Sequence, residues 1–241
     1  MLSSHVRRLS LVALTLAPVL VSAQATPDND PRIEKLIAAI SEDRMQQHLR
    51  TLVGFGTRNT LSDTTSSTRG IGAARQWIHD ELTRSNSRLQ VAFDSHQIPK
   101  GGRVTRDVEL RNVVAILPGR SARRIYVSGH YDTVNLGAQG QQGLNTGTTA
   151  READANLDAP GANDDGSGTV LVMELARAFA DSGIDFDATL VFITVAGEEQ
   201  GLIGSRAHGK RAKETSIPIQ AIFNNDIVGG ARDGDSSGPS E

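Results

Sequence analysis

From residue 31 onward the apolar positions fall first at helical spacing and then at strand spacing. Pro31 occupies a first helical position that tolerates it, and Ile33, Leu36, Ile37 and Ile40 follow at helical intervals. A second helical stretch runs from Ser41, with Met45, His48, Leu49, Leu52 and Val53 on one face and Gly54 and Gly56 ending it. Residues 57–68 are rich in Ser and Thr and read as loop, and residues 71–82 are helical again. Residues 89–98 and 104–117 alternate or run apolar in strand fashion, the second closing on Pro118-Gly119. Thereafter strand and helix alternate: strand 125–128, a long Gly/Gln/Thr/Ala loop over 135–160, helix 169–181, strand 189–195, a helix from about 202 to 213, and strand 219–224. That order predicts an α/β domain whose sheet has parallel members and helices on its faces. No internal repeat is present.

Ahead of this pattern lies a processing segment. His5, Arg7 and Arg8 form a basic start, residues 9–21 an apolar run, and Ala23-Gln24-Ala25 a small-x-small end, the signature of a secretory signal peptide over residues 1–25. The apolar run is short of the ~20 residues a spanning helix needs. Residues 26–30 are a polar linker, and residues 31–241 form the folded domain on this reading. The expected destination is therefore secreted or periplasmic, with no membrane attachment after cleavage. Loss of the segment removes two Arg and no acid, which moves the formal charge from −3 to −5.

Composition narrows the chemistry. Zero Cys excludes disulfide scaffolds, thiolate zinc sites and Cys nucleophiles together. With 4% aromatics and no basic run, nucleic acid is not an expected partner. Any metal must be held by His and carboxylates. In α/β sheets ligands bind beyond the carboxyl ends of the strands, and three strand ends here are strongly polar. The run 125–129 leads into His130-Tyr131-Asp132, the run 191–197 into Glu198-Glu199, and the run 221–225 into Asp226. Between the first two lies Gly161-Ala162-Asn163-Asp164-Asp165-Gly166-Ser167-Gly168, opening a helix. Taken singly these are ordinary: a turn His, a helix-start acidic pair, an N-cap Asp. Together they set several carboxylates and one His at one sheet edge, an arrangement that is costly unless a cation neutralises it. A divalent metal site of O and N ligands is the economical reading.

Gly129-His130-Tyr131-Asp132, the Gly161–Gly168 block, Gly197-Glu198-Glu199-Gln200-Gly201-Leu202-Ile203-Gly204-Ser205 and Asn225-Asp226 resemble, in order, the metal-site motifs of the M28 family of zinc peptidases, which includes secreted bacterial aminopeptidases. The resemblance implies a zinc-exopeptidase-like three-layer α/β/α sandwich with a mixed, largely parallel central sheet. It implies that His130 and Asp226 hold one zinc, that Asp164 bridges to a second, and that Glu199 holds the second. Glu198 would be the general base, and Asp132 would orient His130 by accepting its other ring N–H. The Asp164–Asp165 peptide is expected to be cis. The implied activity is hydrolysis of N-terminal peptide bonds of peptides or proteins, with two Zn2+ ions and one carboxylate moving the proton. A glutaminyl-cyclase-like acyl transferase and a non-catalytic binding module or inactive fragment are the alternatives.

The family pattern also carries a His ligand roughly a hundred residues beyond the last Asp, and the chain has 15 residues after Asp226. His208 lies nine residues past Glu199, about 13 Å along a helix, too far to share an ion, and reads as a helix-surface residue. Residues 229–241 have loop composition. The expectation is a domain lacking its C-terminal strands and helices. The zinc position of His130, Asp164 and Asp226 would be complete, that of Asp164 and Glu199 would lack its third protein ligand, and an exposed sheet edge or apolar face would remain. Oligomeric state is not legible in the sequence.

Overall fold

The side-chain period separates two faces of one sheet. In the computed structural model of the chain, which describes residues 30–135 and 155–229, the elements are α1 (Pro31–Ala38), α2 (Glu42–Gly54), α3 (Gly70–Ser85), β1 (Gln90–Ile98), β2 (Val108–Leu117), β3 (Ser121–His130), a widened helical turn (Ala162–Ser167), α4 (Gly168–Asp181), β4 (Ala188–Val195), α5 (Ile203–Glu214) and β5 (Ile219–Asn224). The signal-peptide reading over 1–25, most of the linker, the greater part of the 135–160 loop and residues 230–241 lie outside the described residues. Asp30 and Ser41 accept the Arg32 and Arg44 amides and so start α1 and α2.

The five strands lie in the order β1-β2-β4-β3-β5. β1 and β4 are each antiparallel to β2, while β3 is parallel to both β4 and β5, so β2 alone runs against the rest. The sheet is mixed, as expected. On one face Val113, Ala115 and Leu117 of β2 and Leu190 and Phe192 of β4 meet Leu52 of α2, Ile71, Ala74, Ile78 and Leu82 of α3, and Val172, Met173 and Ala176 of α4. On the other, Val114, Tyr126, Val191, Ile193 and Val195 form a smaller cluster on the side that α5 covers. This is the period-2 alternation of strands buried on both faces.

Two boundaries differ from the sequence reading. The strand expected over 104–117 begins at Val108, because Gly101 and Val104 exchange backbone hydrogen bonds in a small reversal of the chain. The strand expected over 125–128 extends over Ser121–His130, since its polar start pairs with Ala188 and Thr189 of β4. β5 is one edge of the sheet, with Ile222 and Phe223 each 60% exposed.

His208 is not a surface residue. On α5 its Nδ1 lies 2.8 Å from Asp94 Oδ2 and its Nε2 3.2 Å from the Tyr126 hydroxyl. The helix turns this position toward the sheet, where β1 supplies a buried carboxylate.

Candidate metal centre

Parallel register decides where the chemistry converges. His130 ends β3 level with Val195 of β4, and Ser128 is level with Asn224 of β5. The segments following those three strands therefore leave the sheet at one edge. The turn before α4 enters the same place: the Asp165 carboxylate accepts the backbone amides of His130 (2.9 Å), Gly168 (2.8 Å) and Ile227 (3.2 Å). One fully buried carboxylate thus ties the end of β3, the start of α4 and the segment after β5 together. A Cβ at Gly168 would lie 2.0 Å from the Asn225 carbonyl oxygen and 2.5 Å from Asp165 Oδ1, so this junction requires glycine. Gly197 takes φ +72° to turn β4 into Glu198.

Four of the expected residues meet around the His130 ring. Its Nε2 is 3.0 Å from Asp164 Oδ1, 3.7 Å from Asp226 Oδ1 and 3.9 Å from Glu198 Oε2. His130, Asp164 and Asp226 each offer a ligand atom within 4.8 Å of the others, a spacing one cation can span. The donors are one imidazole nitrogen and carboxylate oxygens, a set suited to zinc and other borderline divalent ions. Glu199 is not a member of that group of three; its amide donates to Asp132 Oδ2 at 3.2 Å. The Asp164–Asp165 peptide is cis, as expected.

Asp132 contacts more than His130. The His130 Nδ1 lies 3.2 Å from the Asp132 carbonyl oxygen and 3.5 Å from its carboxylate Oδ1. The carboxylate itself accepts the amides of Glu198 (3.1 Å) and Glu199 (3.2 Å) and the Thr60 hydroxyl (3.2 Å). It therefore fixes the backbone that carries both glutamates while facing the imidazole.

Electrostatics of these groups reflect a crowd of carboxylates around one ring. Burial acts to lower the His130 pKa, but hydrogen bonds to Asp132 and Asp164 outweigh it and push it up to about 11. The same hydrogen bond from His130 lowers Asp164. Burial, then the negative charges of Asp132 and Asp164, push Glu199 up to about 8. Glu198 is raised, chiefly by burial, and burial lifts Asp165 to about 6 against its three amide donors.

Sequence reasoning assigned no role to three residues that build this site: Arg58, Thr60 and Asp165. Arg58 has no exposed surface. Its guanidinium donates to the carbonyls of Tyr131 (2.6 Å), Pro160 (2.7 Å), Gly161 (2.9 Å) and Leu52 (3.3 Å), clamping the segment after β3 to the Gly161 turn. The only signal is a single Arg inside an otherwise uncharged loop, Thr57 to Ser62.

An α/β sheet presenting a His and a ring of carboxylates beyond its parallel strand ends is a setting for a divalent metal ion. The model of Peptidase family M28 matches residues 112–238, and the chain belongs to that family. A probable zinc metalloprotease of Pyricularia oryzae is 40% identical over 215 residues, covering 87% of this chain and 39% of its own length. A probable leucine aminopeptidase of Trichophyton verrucosum is 30% identical over 227 residues, covering 88% of this chain and 52% of its own. The chain thus spans about two-fifths to one-half of the length of these two relatives. Among solved structures, the LapA aminopeptidase of Legionella pneumophila shares the fold with a TM-score of 0.60 at 24% identity, covering 88% of this chain and 50% of that one. A glutaminyl cyclase of Porphyromonas gingivalis does so with a TM-score of 0.62 at 20% identity, covering 80% of this chain and 62% of that one. The zinc metalloprotease relatives imply Zn2+ as the ion.

Proposed function

We propose that this chain carries the metal centre of a zinc aminopeptidase that removes N-terminal residues from peptides or proteins. The observation that carries the reading is the meeting of His130, Asp164 and Asp226 with the Glu198 carboxylate 3.9 Å from the His130 ring. His130, Asp164 and Asp226 would hold one zinc, and Asp164 with Glu199 would contribute to a second. Bound zinc supplies Lewis acidity that polarises a carbonyl and acidifies water.

Glu198 takes the proton from the attacking water and returns it to the leaving amine, a task suited to a carboxylate whose pKa burial has raised. Asp132 and Thr60 hold the Glu198 backbone in place for it. The surplus carboxylates offer a docking point for a free substrate α-ammonium, which supports cleavage at the first peptide bond. The aminopeptidase name of the Trichophyton relative agrees.

The test is hydrolysis of leucine p-nitroanilide against its N-acetylated form by the zinc-loaded chain. Glu198→Gln is expected to lower kcat by about 10²–10⁴-fold with zinc content unchanged. Equal cleavage of free and acetylated substrate would defeat the exopeptidase reading. Ammonia release from N-terminal glutaminyl peptides, in place of amide hydrolysis, would favour the cyclase chemistry to which the fold is also similar. Residues 1–25 are proposed to direct export, so the N-terminus of secreted material should begin near Gln24 or Thr26.

A further inference from the structure

A cavity of about 460 Å³ shares no lining residue with the metal centre. It lies between α3, the loop around Thr64 and the side chain of Arg111 on β2. Three guanidiniums line it, and two already have carboxylate partners: Arg84 pairs with Glu81 and Arg111 with Glu109, each at 2.7 Å. The cavity's own acid, Asp80, is engaged by Gln76 and His79. Arg75 is different. It is only 8% exposed, yet its guanidinium makes no hydrogen bond and no ion pair among the described residues. None of its nitrogens is sealed from solvent, so its N–H donors meet water rather than a protein acceptor, and an anion entering the cavity would take that water's place.

We propose that this cavity binds a small organic carboxylate with an apolar body, its carboxylate paired to Arg75. The guanidinium fork matches a carboxylate in two parallel hydrogen bonds. The apolar portion has Phe55 and Trp77 as walls, their rings 6.1 Å apart. The volume falls within the roughly 300–1,000 Å³ typical of small-molecule sites, more than a bare inorganic oxyanion fills.

Trp77 is the chain's one tryptophan and lines this cavity, so its emission responds to a ligand bound there. The zinc-loaded full chain would be titrated with 4-methylpentanoate, with the uncharged 4-methylpentanamide and with inorganic phosphate. A saturable change with the acid is expected, at least about tenfold weaker with the amide, because only the acid pairs with the guanidinium. Phosphate should also be weaker, lacking the apolar body. Arg75→Gln should bring the acid down to the amide's affinity and leave the amide unchanged. Absence of a saturable response to the acid, equal affinity for acid and amide, phosphate binding as tightly as the acid, or a full acid response in Arg75→Gln would each overturn the proposal. The acid-against-amide comparison uses the unaltered chain, so it stands even if the variant fails to fold.

Discussion

A guanidinium with no exposed surface must find its acceptors inside the protein, and Arg58 finds four backbone carbonyls on three separate segments. Burial lowers its pKa to about 10, with Asp132, Asp165 and Asp164 opposing that fall, so it stays a cation at neutral pH. Arg58→Met would orphan those carbonyls and remove a buried positive charge set against these three acids. A loss of roughly 3–5 kcal/mol is expected, read as a lower urea midpoint, together with weaker zinc retention because the Gly161 turn carries Asp164. Arg58→Lys keeps the charge but not the fork, and should recover only part of the loss. The residue-scale limits of sequence reading follow from this case. His130, Asp132, Asp164, Glu198, Glu199 and Asp226 were legible because each stands just past an apolar run or in a glycine-bounded block. Arg58 was not, because its partners lie as much as 103 residues away and a loop has no periodicity to say which way a side chain points.

Elements were legible where burial imposes a period, and less so where a distant partner decides. The apolar spacing of α3 and the alternation of β2 and β4 come through in the chain because one core reads both. His208 was misread because a helix periodicity gives its own face but not what that face meets. The answer, Asp94, is 114 positions earlier. Asp94 joins β1 to α5 through His208 and Arg211, the latter at 2.5 Å, and also receives His96 (2.9 Å) and Asn112 (3.0 Å). Burial alone would raise its pKa, but the hydrogen bonds from His208, His96 and Asn112 hold the carboxyl well below the usual carboxylate range. A depressed folded-state value contributes stability that is present above the unfolded value near pH ~4 and lost as pH falls toward the folded one. Asp94→Asn should therefore cost roughly 1–3 kcal/mol at pH 7, and its deficit against the parent chain should shrink in urea melts taken progressively below about pH 4.

At the scale of the molecule the metal centre is a junction: β3, the turn before α4, the segment after β4 and the segment after β5 each bring a carboxylate or the imidazole to it. Without a cation the junction must satisfy itself with protons. His130 is pushed up to about 11 and Glu199 to about 8, so the metal-free fold binds protons that the unfolded chain would release. For such raised groups the proton-linked stability is full below the unfolded values, near 4.3 for Glu and 6.5 for His, and is lost as pH rises through the folded ones. Zinc needs the imidazole neutral and the carboxylates ionised, so its binding expels those protons and strengthens with pH. The two dependences reinforce each other: alkaline conditions weaken the metal-free fold and tighten the ion that repairs it. With free zinc fixed at 100 times its Kd at pH 7 the linkage there is worth about 2.7 kcal/mol, which for a chain of this size is a rise in Tm of roughly 5–10 °C. Calorimetric scans of chelator-treated and zinc-reloaded protein should show that rise, larger at pH 8 than at pH 6, and His130→Ala should abolish both the rise and its pH dependence. A zinc increment that is equal at the two pH values would mean that the ion is not displacing protons from this junction.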